Sequence, residues 1–461
     1  MLYRFIKLLA ITAIKTFFNS ISSEHADTIP KNKPLIFTSN HPNTMMDPIV
    51  IGYTCCRNLH FFAKSTLFST SFTNWFLQKI HLVPLFRRQD NPKQMHKNKE
   101  SFSKAFDLLK ENKAFLIFPE GVSTGERILS KIKTGAARIG FGAELHGNWE
   151  LDVHIIPVGI NYSNSIQFRS DALVRFGQPI RLNDFKALYK EDEIEAVHQV
   201  TSQIETALSK LTVNLKDLET QHIVEALETI YKQELAVDLG MEINDKKDDF
   251  SVTKGLITAV EWYYDYHPEQ VEIFKGLLHK YERLLSRLNL KDEFLDPSTP
   301  GVLLSSQIKA LSYLFFLFPV YLYGVINNVI PYKFPRWYTS HFVRAKAEIA
   351  SWKMITGTAV FLIYYPIEIM AVWFFSGSFF WAFVYALTLP MSGNFVLKYL
   401  RRIQDYRQQL RFLSIFSKKR RLIYLLIQQR TQLIDFINKA KDDYLESIGF
   451  SSEALNKKVV K

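Results

Sequence analysis

Two long stretches late in the chain carry almost no charge. None lies between Lys309 and Lys333, and between Lys353 and Lys398 the only charged residue is Glu368. A bilayer's hydrocarbon core takes roughly 20 apolar residues as a helix, and every backbone polar group there must be satisfied within the protein. The first stretch is long enough for one span. The second is long enough for two, with Ser376-Gly377-Ser378 as a tight turn. A chain built this way must separate an aqueous part from a membrane part. Pro319 lies in the middle of the first stretch, which is expected to bend there as a re-entrant hairpin. Lys333, Arg336, Arg344, Lys346 and Lys353 precede the second stretch, and Lys398, Arg401 and Arg402 follow it. Both basic ends belong on the cytoplasmic side. Glu368 is either a functional group within lipid or a protonated or helix-paired carboxyl beside Pro366.

The rest of the chain is polar and divides by pattern. Residues 1–29 begin with Leu2, Phe5, Ile6, Leu9, Ala13 and Phe17 at helical spacing, with Arg4, Lys7 and Lys15 among them. Lys7 interrupts the apolar run and no small-residue cleavage site follows, so this is not a clean signal peptide. It reads as an amphipathic helix in the membrane interface, or as one packed on its own domain. Residues 30–212 alternate strand-like runs (Leu35–Thr38, Leu59–Ala63, Val83–Phe86, Phe115–Phe118, Ile155–Ile160, Val174–Phe176) with helical patterns such as Met95–Lys110 and Thr134–Glu144. This predicts an α/β domain, a central β-sheet flanked by helices. Residues 213–300 read as a helical region, with a charged loop at Asn244–Phe250 and a linker at Asp296–Gly301. Residues 301–400 are the α-helical membrane block, and 401–461 a basic helical tail.

The net charge of +12 points to an anionic partner. No aromatic platform is interleaved with the basic runs, so membrane lipids are expected and nucleic acid is not. The two cysteines, Cys55 and Cys56, are adjacent. They argue against a disulfide scaffold and for a reducing compartment, or are core residues. No clustered ligand spacing suggests a metal.

Chemistry enters at Thr38-Ser39-Asn40-His41-Pro42-Asn43-Thr44-Met45-Met46-Asp47-Pro48, directly after a buried strand. An imidazole takes a proton near neutral pH, and a carboxylate fixes its tautomer. Six positions on one helix would put the pair on different faces. They meet only if the chain bends at Pro42-Asn43 before a helix starts. Three further blocks follow. Val83–Arg88 is a strand ending in Arg87-Arg88, whose planar forks match phosphate. Phe115–Ser123 is a strand that stops at Phe118-Pro119-Glu120-Gly121. His154–Asn161 is a core strand containing Pro157.

These blocks, in this order across roughly Pro30–Leu211, resemble the glycerolipid acyltransferase family, which includes glycerol-3-phosphate and 1-acylglycerol-3-phosphate acyltransferases. The resemblance implies that His41 is a general base and Asp47 its partner, that Arg87 contacts the acceptor's phosphate with Arg88 beside it, and that Glu120 and Gly121 help hold the acceptor. Phe61-Phe62-Ala63-Lys64 and Lys133-Thr134-Gly135 also look like family segments, which makes Lys64 and Lys133 substrate-binding candidates. The commonest family motif has four residues between His and Asp, whereas this chain has five. That spacing, Ser123 after Phe-Pro-Glu-Gly-Val, and the late membrane block look closer to the branch with fungal-type glycerol-3-phosphate/dihydroxyacetone-phosphate acyltransferases.

The function implied is transfer of an acyl group to glycerol 3-phosphate, dihydroxyacetone phosphate or a 1-acylglycerol 3-phosphate, in phosphatidic acid and phospholipid synthesis. The donor is an acyl thioester of coenzyme A or acyl carrier protein. No cofactor is required, and the catalytic domain belongs on the cytoplasmic side of a membrane. Backbone donors at a helix start are expected to stabilise the oxyanion. Two other classes compete. Gly121-Val122-Ser123-Thr124-Gly125 matches the nucleophile elbow of a serine esterase, with Asp152 and His154 or His198 as partners. A membrane scaffold or lipid-transfer protein would leave the spaced blocks unexplained and be indifferent to His41→Ala.

Overall fold

The structure, a computed structural model, describes residues 2–55, 57–87, 92–243, 245–292, 295, 311–418 and 420–449, without the side chains at 409 and 412–418. It forms two compact units, Met1–Asn214 with Pro335–Thr358, and Leu215–Phe334 with Ala359–Lys461. These boundaries depart from those drawn on the sequence. The N-terminal helix shares the α/β core, and a segment from the membrane block joins that unit.

The first unit has eight strands: β1 (Ser20–Glu24), β2 (Leu35–Ser39), β3 (Leu59–Lys64), β4 (Leu82–Leu85), β5 (Ala114–Ile117), β6 (His154–Tyr162), β7 (Asp171–Phe176) and β8 (Ile180–Arg181). Their order is β1-β7-β6-β2-β5-β3-β4, with β8 also on β6. The five strands β6, β2, β5, β3 and β4 are parallel, β7 is antiparallel to β6, and β1 is parallel to β7. Parallel strands require helices on both faces, so they read as continuous apolar runs. Every residue of β2 is buried accordingly.

The pleat divides β2 between two cores. Leu35 and Phe37 face one cluster, with α1 (Leu2–Phe17) and Met46, Val50 and Ile51 of α2 (Met46–Thr54). Ile36 faces the other, with α4 (Asn98–Lys110), α5 (Gly135–His146) and α7 (Glu193–Leu211). Two smaller helices, α3 (Ser71–Lys79) and α6 (Lys186–Glu191), complete the unit. In α1, Ile14 and Phe17 are buried while Phe5 and Leu8 are exposed. The helix is therefore part core element and part apolar surface. Strand β1, Ser-Ile-Ser-Ser-Glu, is too polar to show a strand pattern. It forms because β7 offers its free edge, where Glu24 and Arg175 stand opposite each other and pair at 2.6 Å.

The second unit is helical: α8 (Leu218–Ile230), α9 (Lys232–Asp238), α10 (Lys246–Tyr266), α11 (Pro268–Leu288), α12 (Phe318–Phe342), α13 (Ile349–Ser376), α14 (Phe379–Lys418) and α15 (Arg420–Ser447), with α12 and α13 beginning or ending in the first unit. Phe274, Leu278 and Tyr281 of α11 pack with Ile423, Leu426 and Leu433 of α15. Of the charged stretch at 244–250, expected as a loop, Lys246–Phe250 instead begin α10, and residue 244 lies outside the described residues. Asp245 caps the Lys247 N–H, and Asp248 and Asp249 lie at the positive end of the helix dipole. The linker expected at 296–301 lies outside the described residues.

The re-entrant bend expected at Pro319 is not what forms. Pro319 occupies the first turn of α12, where no N–H is needed. Among the described residues, two helices are long and apolar enough to cross a membrane, Lys346–Ser376 and Phe379–Gln408, separated at Gly377. The Asn327 and Asn328 side chains of α12 accept hydrogen bonds of 2.6 Å from Tyr385 and Tyr365. Polar groups on these helices thus find partners on neighbouring ones. Glu368 keeps one buried oxygen without a hydrogen-bond partner among the described residues.

Candidate active site

Because β2, β5, β3 and β4 are parallel, their carboxyl ends share one edge of the sheet, where open α/β sheets place their sites. His41 follows β2, Glu120 and Gly121 follow β5, Lys64 ends β3, and Arg87 follows β4. The candidate residues scattered over 93 positions of sequence, from His41 to Lys133, are gathered by strand order alone. Arg88 lies outside the described residues.

His41 and Asp47 meet. His41 Nδ1 is 2.7 Å from Asp47 Oδ2, with the aspartate side chain fully buried and the imidazole 18% exposed. Asp47 lies in the first turn of α2, which favours a negative charge. The Asn43 N–H donates to Asp47 Oδ2 at 2.8 Å, and the Tyr162 hydroxyl donates to Oδ1 at 2.8 Å. Both oxygens of a carboxylate removed from water are therefore satisfied. Burial, and then the negative Asp47, push the Tyr162 hydroxyl well above its ordinary range and keep it a donor. The imidazole stacks on Phe118, with ring centroids 3.8 Å apart at 12°.

Glu120 acts on the backbone. Its Oε1 accepts the His41 N–H at 2.8 Å, and its Oε2 accepts the Ser130 N–H at 2.9 Å. Burial pushes its carboxyl above the usual carboxylate range, and these two donors partly offset the rise. The carboxylate thus ties the end of β5 to the residue that carries the imidazole. Gly121 has φ +70°, and a Cβ there would stand 2.5 Å from Lys133 Nζ. The missing side chain gives the Lys133 ammonium its place. Lys64 is exposed at the end of β3, and Arg87 is half-buried beyond β4. Arg87 stands three strands from His41, roughly 14 Å at ~4.8 Å per strand. The basic groups Lys133, Lys64 and Arg87 lie on the same side of the imidazole.

Three features escaped the sequence reading. Tyr162 lies one residue beyond the fourth block and 115 positions from Asp47. Asn40 pairs with both backbone groups of Ile160, at 3.0 and 2.8 Å, and so locks the motif to β6. The N–H groups leading into α2 are occupied: Asn43 by Asp47, Thr44 by Ser123 Oγ at 3.1 Å, and Met45 by Ser351 Oγ at 3.2 Å.

The same geometry removes the elbow. A nucleophile elbow needs a helix directly after the serine, and after Ser123 none begins until Gly135. Asp152 is paired with Lys33 and Arg181 at 2.7 and 2.6 Å. His154 starts β6, at the opposite end of the sheet from Ser123. Among the described residues no three His, Cys, Asp or Glu side chains gather as metal ligands.

The family profile described as Acyltransferase matches residues 20–161, the stretch that carries β1 to most of β6. Glycerol-3-phosphate O-acyltransferase 2 of Saccharomyces cerevisiae is 29% identical over 220 residues, 46% of this chain and 28% of that protein. The 1-acyl-sn-glycerol-3-phosphate acyltransferase of Bacillus subtilis is 23% identical over 210 residues, 44% of this chain and 96% of that protein. The crystal structure of the 1-acyl-sn-glycerophosphate acyltransferase PlsC from Thermotoga maritima aligns with a TM-score of 0.33 at 20% identity, covering 44% of this chain and 78% of that one. The chain spans about a quarter of the length of the yeast relatives it matches. Residues 20–161 of the first unit thus carry an acyltransferase domain, and the chain is similar there to glycerolipid acyltransferases.

Proposed function

We propose that this chain transfers an acyl group from a thioester to the hydroxyl of glycerol 3-phosphate or dihydroxyacetone phosphate, with His41 as general base. The observation that carries the reading is the 2.7 Å contact between His41 Nδ1 and an Asp47 satisfied on both oxygens. That contact commits Nδ1 as a donor and leaves Nε2 for the acceptor hydroxyl. Nε2 takes the proton as the hydroxyl oxygen attacks the thioester carbonyl, and the buried charge of Asp47 stabilises the imidazolium. The tetrahedral adduct then collapses, the carbon–sulfur bond breaks, and the imidazolium returns its proton to the departing thiolate. The donor is acyl-coenzyme A or acyl carrier protein, and the chain's own groups supply the acid–base chemistry.

Lys133, Lys64 and Arg87 make the adjoining sheet edge basic and suit the acceptor's phosphate. Arg88, outside the described residues, is a phosphate-binding candidate by its place beside Arg87 in the sequence alone. Glu120 and Gly121 act chiefly by holding His41 and Lys133 in place. A second reading, a 1-acylglycerol 3-phosphate acceptor, is favoured by the likeness to the Bacillus subtilis enzyme, which is matched over nearly its whole length. The α13–α14 hairpin has basic residues at both ends, which supports a catalytic unit on the cytoplasmic side.

The test uses membranes containing the wild type or His41→Ala, a long-chain acyl thioester, and either glycerol 3-phosphate or 1-acylglycerol 3-phosphate. Transfer to glycerol 3-phosphate that the variant loses by a factor of about 10³ or more supports the first reading. Transfer to the lysolipid alone selects the second. Equal activity in variant and wild type sinks the base.

A further inference from the structure

The turn between His41 and Asp47 is held from a part of the chain 307 positions away. Helix α2 opens at Met46 with no side-chain cap from the preceding residue. The first N–H groups of a helix need outside acceptors. Ser351, in the first turn of α13, supplies one of them. Its Oγ accepts the Met45 N–H at 3.2 Å and lies 2.9 Å from Thr44 Oγ1, which also donates to the Ala347 carbonyl at 3.1 Å. Ser351 is 2% exposed, and its neighbours Ala350 and Met354 belong to the core under α2.

The same strap grips two more loops of the site. Gly125 has φ +78°, and a Cβ there would stand 2.9 Å from the Ala347 nitrogen, so backbone packs on backbone. Lys346 Nζ lies 3.0 Å from both oxygens of Glu126. Lys353 Nζ donates to the Ile166 carbonyl at 3.0 Å, beside Ser165, whose carbonyl accepts Asn43 Nδ2 at 2.5 Å. Residues 346–354 therefore touch the loop carrying His41 and Asp47, the loop after β5 and the loop after β6.

We propose that Ser351 is a positioning residue for the His41–Asp47 pair, and that residues 346–354 form a strap fixing the bend on which the pair depends. The strap is also the start of a helix long and apolar enough to cross a membrane. The geometry of the base is thus set from the foot of the membrane segment and not by the α/β domain alone. This rests on the proposed acyl transfer, so one readout is chosen that needs no substrate.

Ser351→Ala, Ser351→Thr and Gly125→Ala are prepared as full-length protein in bilayer discs, beside the wild type. Acyl transfer is measured together with the rate at which diethyl pyrocarbonate modifies His41, followed by mass spectrometry. Ser351→Ala is expected to lower kcat about tenfold, the worth of one hydrogen bond, with the acceptor KM little changed and His41 modified several-fold faster. Ser351→Thr keeps the hydroxyl and is expected to recover most of both. Gly125→Ala, which pushes the strap away, is expected to behave like Ser351→Ala. Unchanged kcat and unchanged His41 reactivity in Ser351→Ala would overturn the proposal. So would equal loss in the alanine and threonine variants, matched by equal loss of folded protein. If the wild type transfers no acyl group, the reaction assignment falls, while the His41 modification rates still decide the strap.

Discussion

His41 and Asp47 can act as a pair only because a buried carboxylate has a hydrogen-bond donor on each oxygen. The Asn43 N–H, the imidazole and the Tyr162 hydroxyl share that task. Removing one donor from a buried carboxylate costs about 1–3 kcal/mol. Tyr162→Phe removes the donor and keeps the ring that stacks on Phe18. The expected outcome is a fall in kcat of about tenfold or more and a lower unfolding midpoint, with acceptor KM nearly unchanged. An unaltered kcat would mean that Asp47 needs only two partners. The His-Asp spacing and the Phe-Pro-Glu-Gly block were legible in the sequence because each is local. Tyr162 and Ser351 were not, since each reaches the pair by strand or helix packing across more than a hundred residues.

At the scale of elements, the sheet places its chemistry at one end and an acid-sensitive stack at the other. His60, near the start of β3, stacks on His81, just before β4, with centroids 4.3 Å apart, and Tyr3 of α1 stacks on His81 at 4.1 Å. Burial, and then the neighbouring His81, bring His60 down to about 4, with Lys113 and Lys104 adding to the effect. Burial also lowers His81, with Lys113 and Lys7 nearby. The unfolded chain, with histidines near 6.5, takes up these protons first. This contribution to stability is complete above about pH 6.5 and is lost as pH falls towards about 4. Unfolding midpoints across that window should fall for the wild type and flatten in His60→Phe. An unchanged slope in His60→Phe would place the acid sensitivity elsewhere. The strands themselves were legible where both faces are buried, as in β2 and β5. Polar β1 was not, because its only strand signal is the neighbour it pairs with. The start of α10 was misread because its charges are cap and dipole partners, not loop residues.

For the whole molecule, the feature with most consequence is the hairpin of α13 and α14. Two apolar helices joined at Gly377, with basic residues at both outer ends, put the turn on the non-cytoplasmic side if the positive ends are retained in the cytoplasm. Ser378→Cys in intact cells should then react with a membrane-impermeant maleimide added outside. The unsubstituted chain, which carries Cys55 and Cys56, is the control for background labelling. Labelling only after permeabilisation would place the turn inside and reverse the hairpin. The division into units was the part of the architecture least legible in sequence. Residues 335–358 join the α/β unit although they lie within the greasy block, because Ala350 and Met354 complete a core whose other members come from the N-terminal third of the chain.

The sequence by itself determined that the chain alternates strands and helices before an apolar helical block, and which short blocks carry the chemistry. Those signals are local: the period of apolar residues, the length of charge-free runs, and polar residues packed into a strand end. Only the tertiary structure decided that five parallel strands bring those blocks to one edge, that Tyr162 completes the buried carboxylate, and that the foot of an apolar helix caps the turn between base and partner. The reason is physical. A buried polar group is satisfied by whichever residue the fold delivers within about 3 Å, and nothing in the order of residues along the chain records that distance.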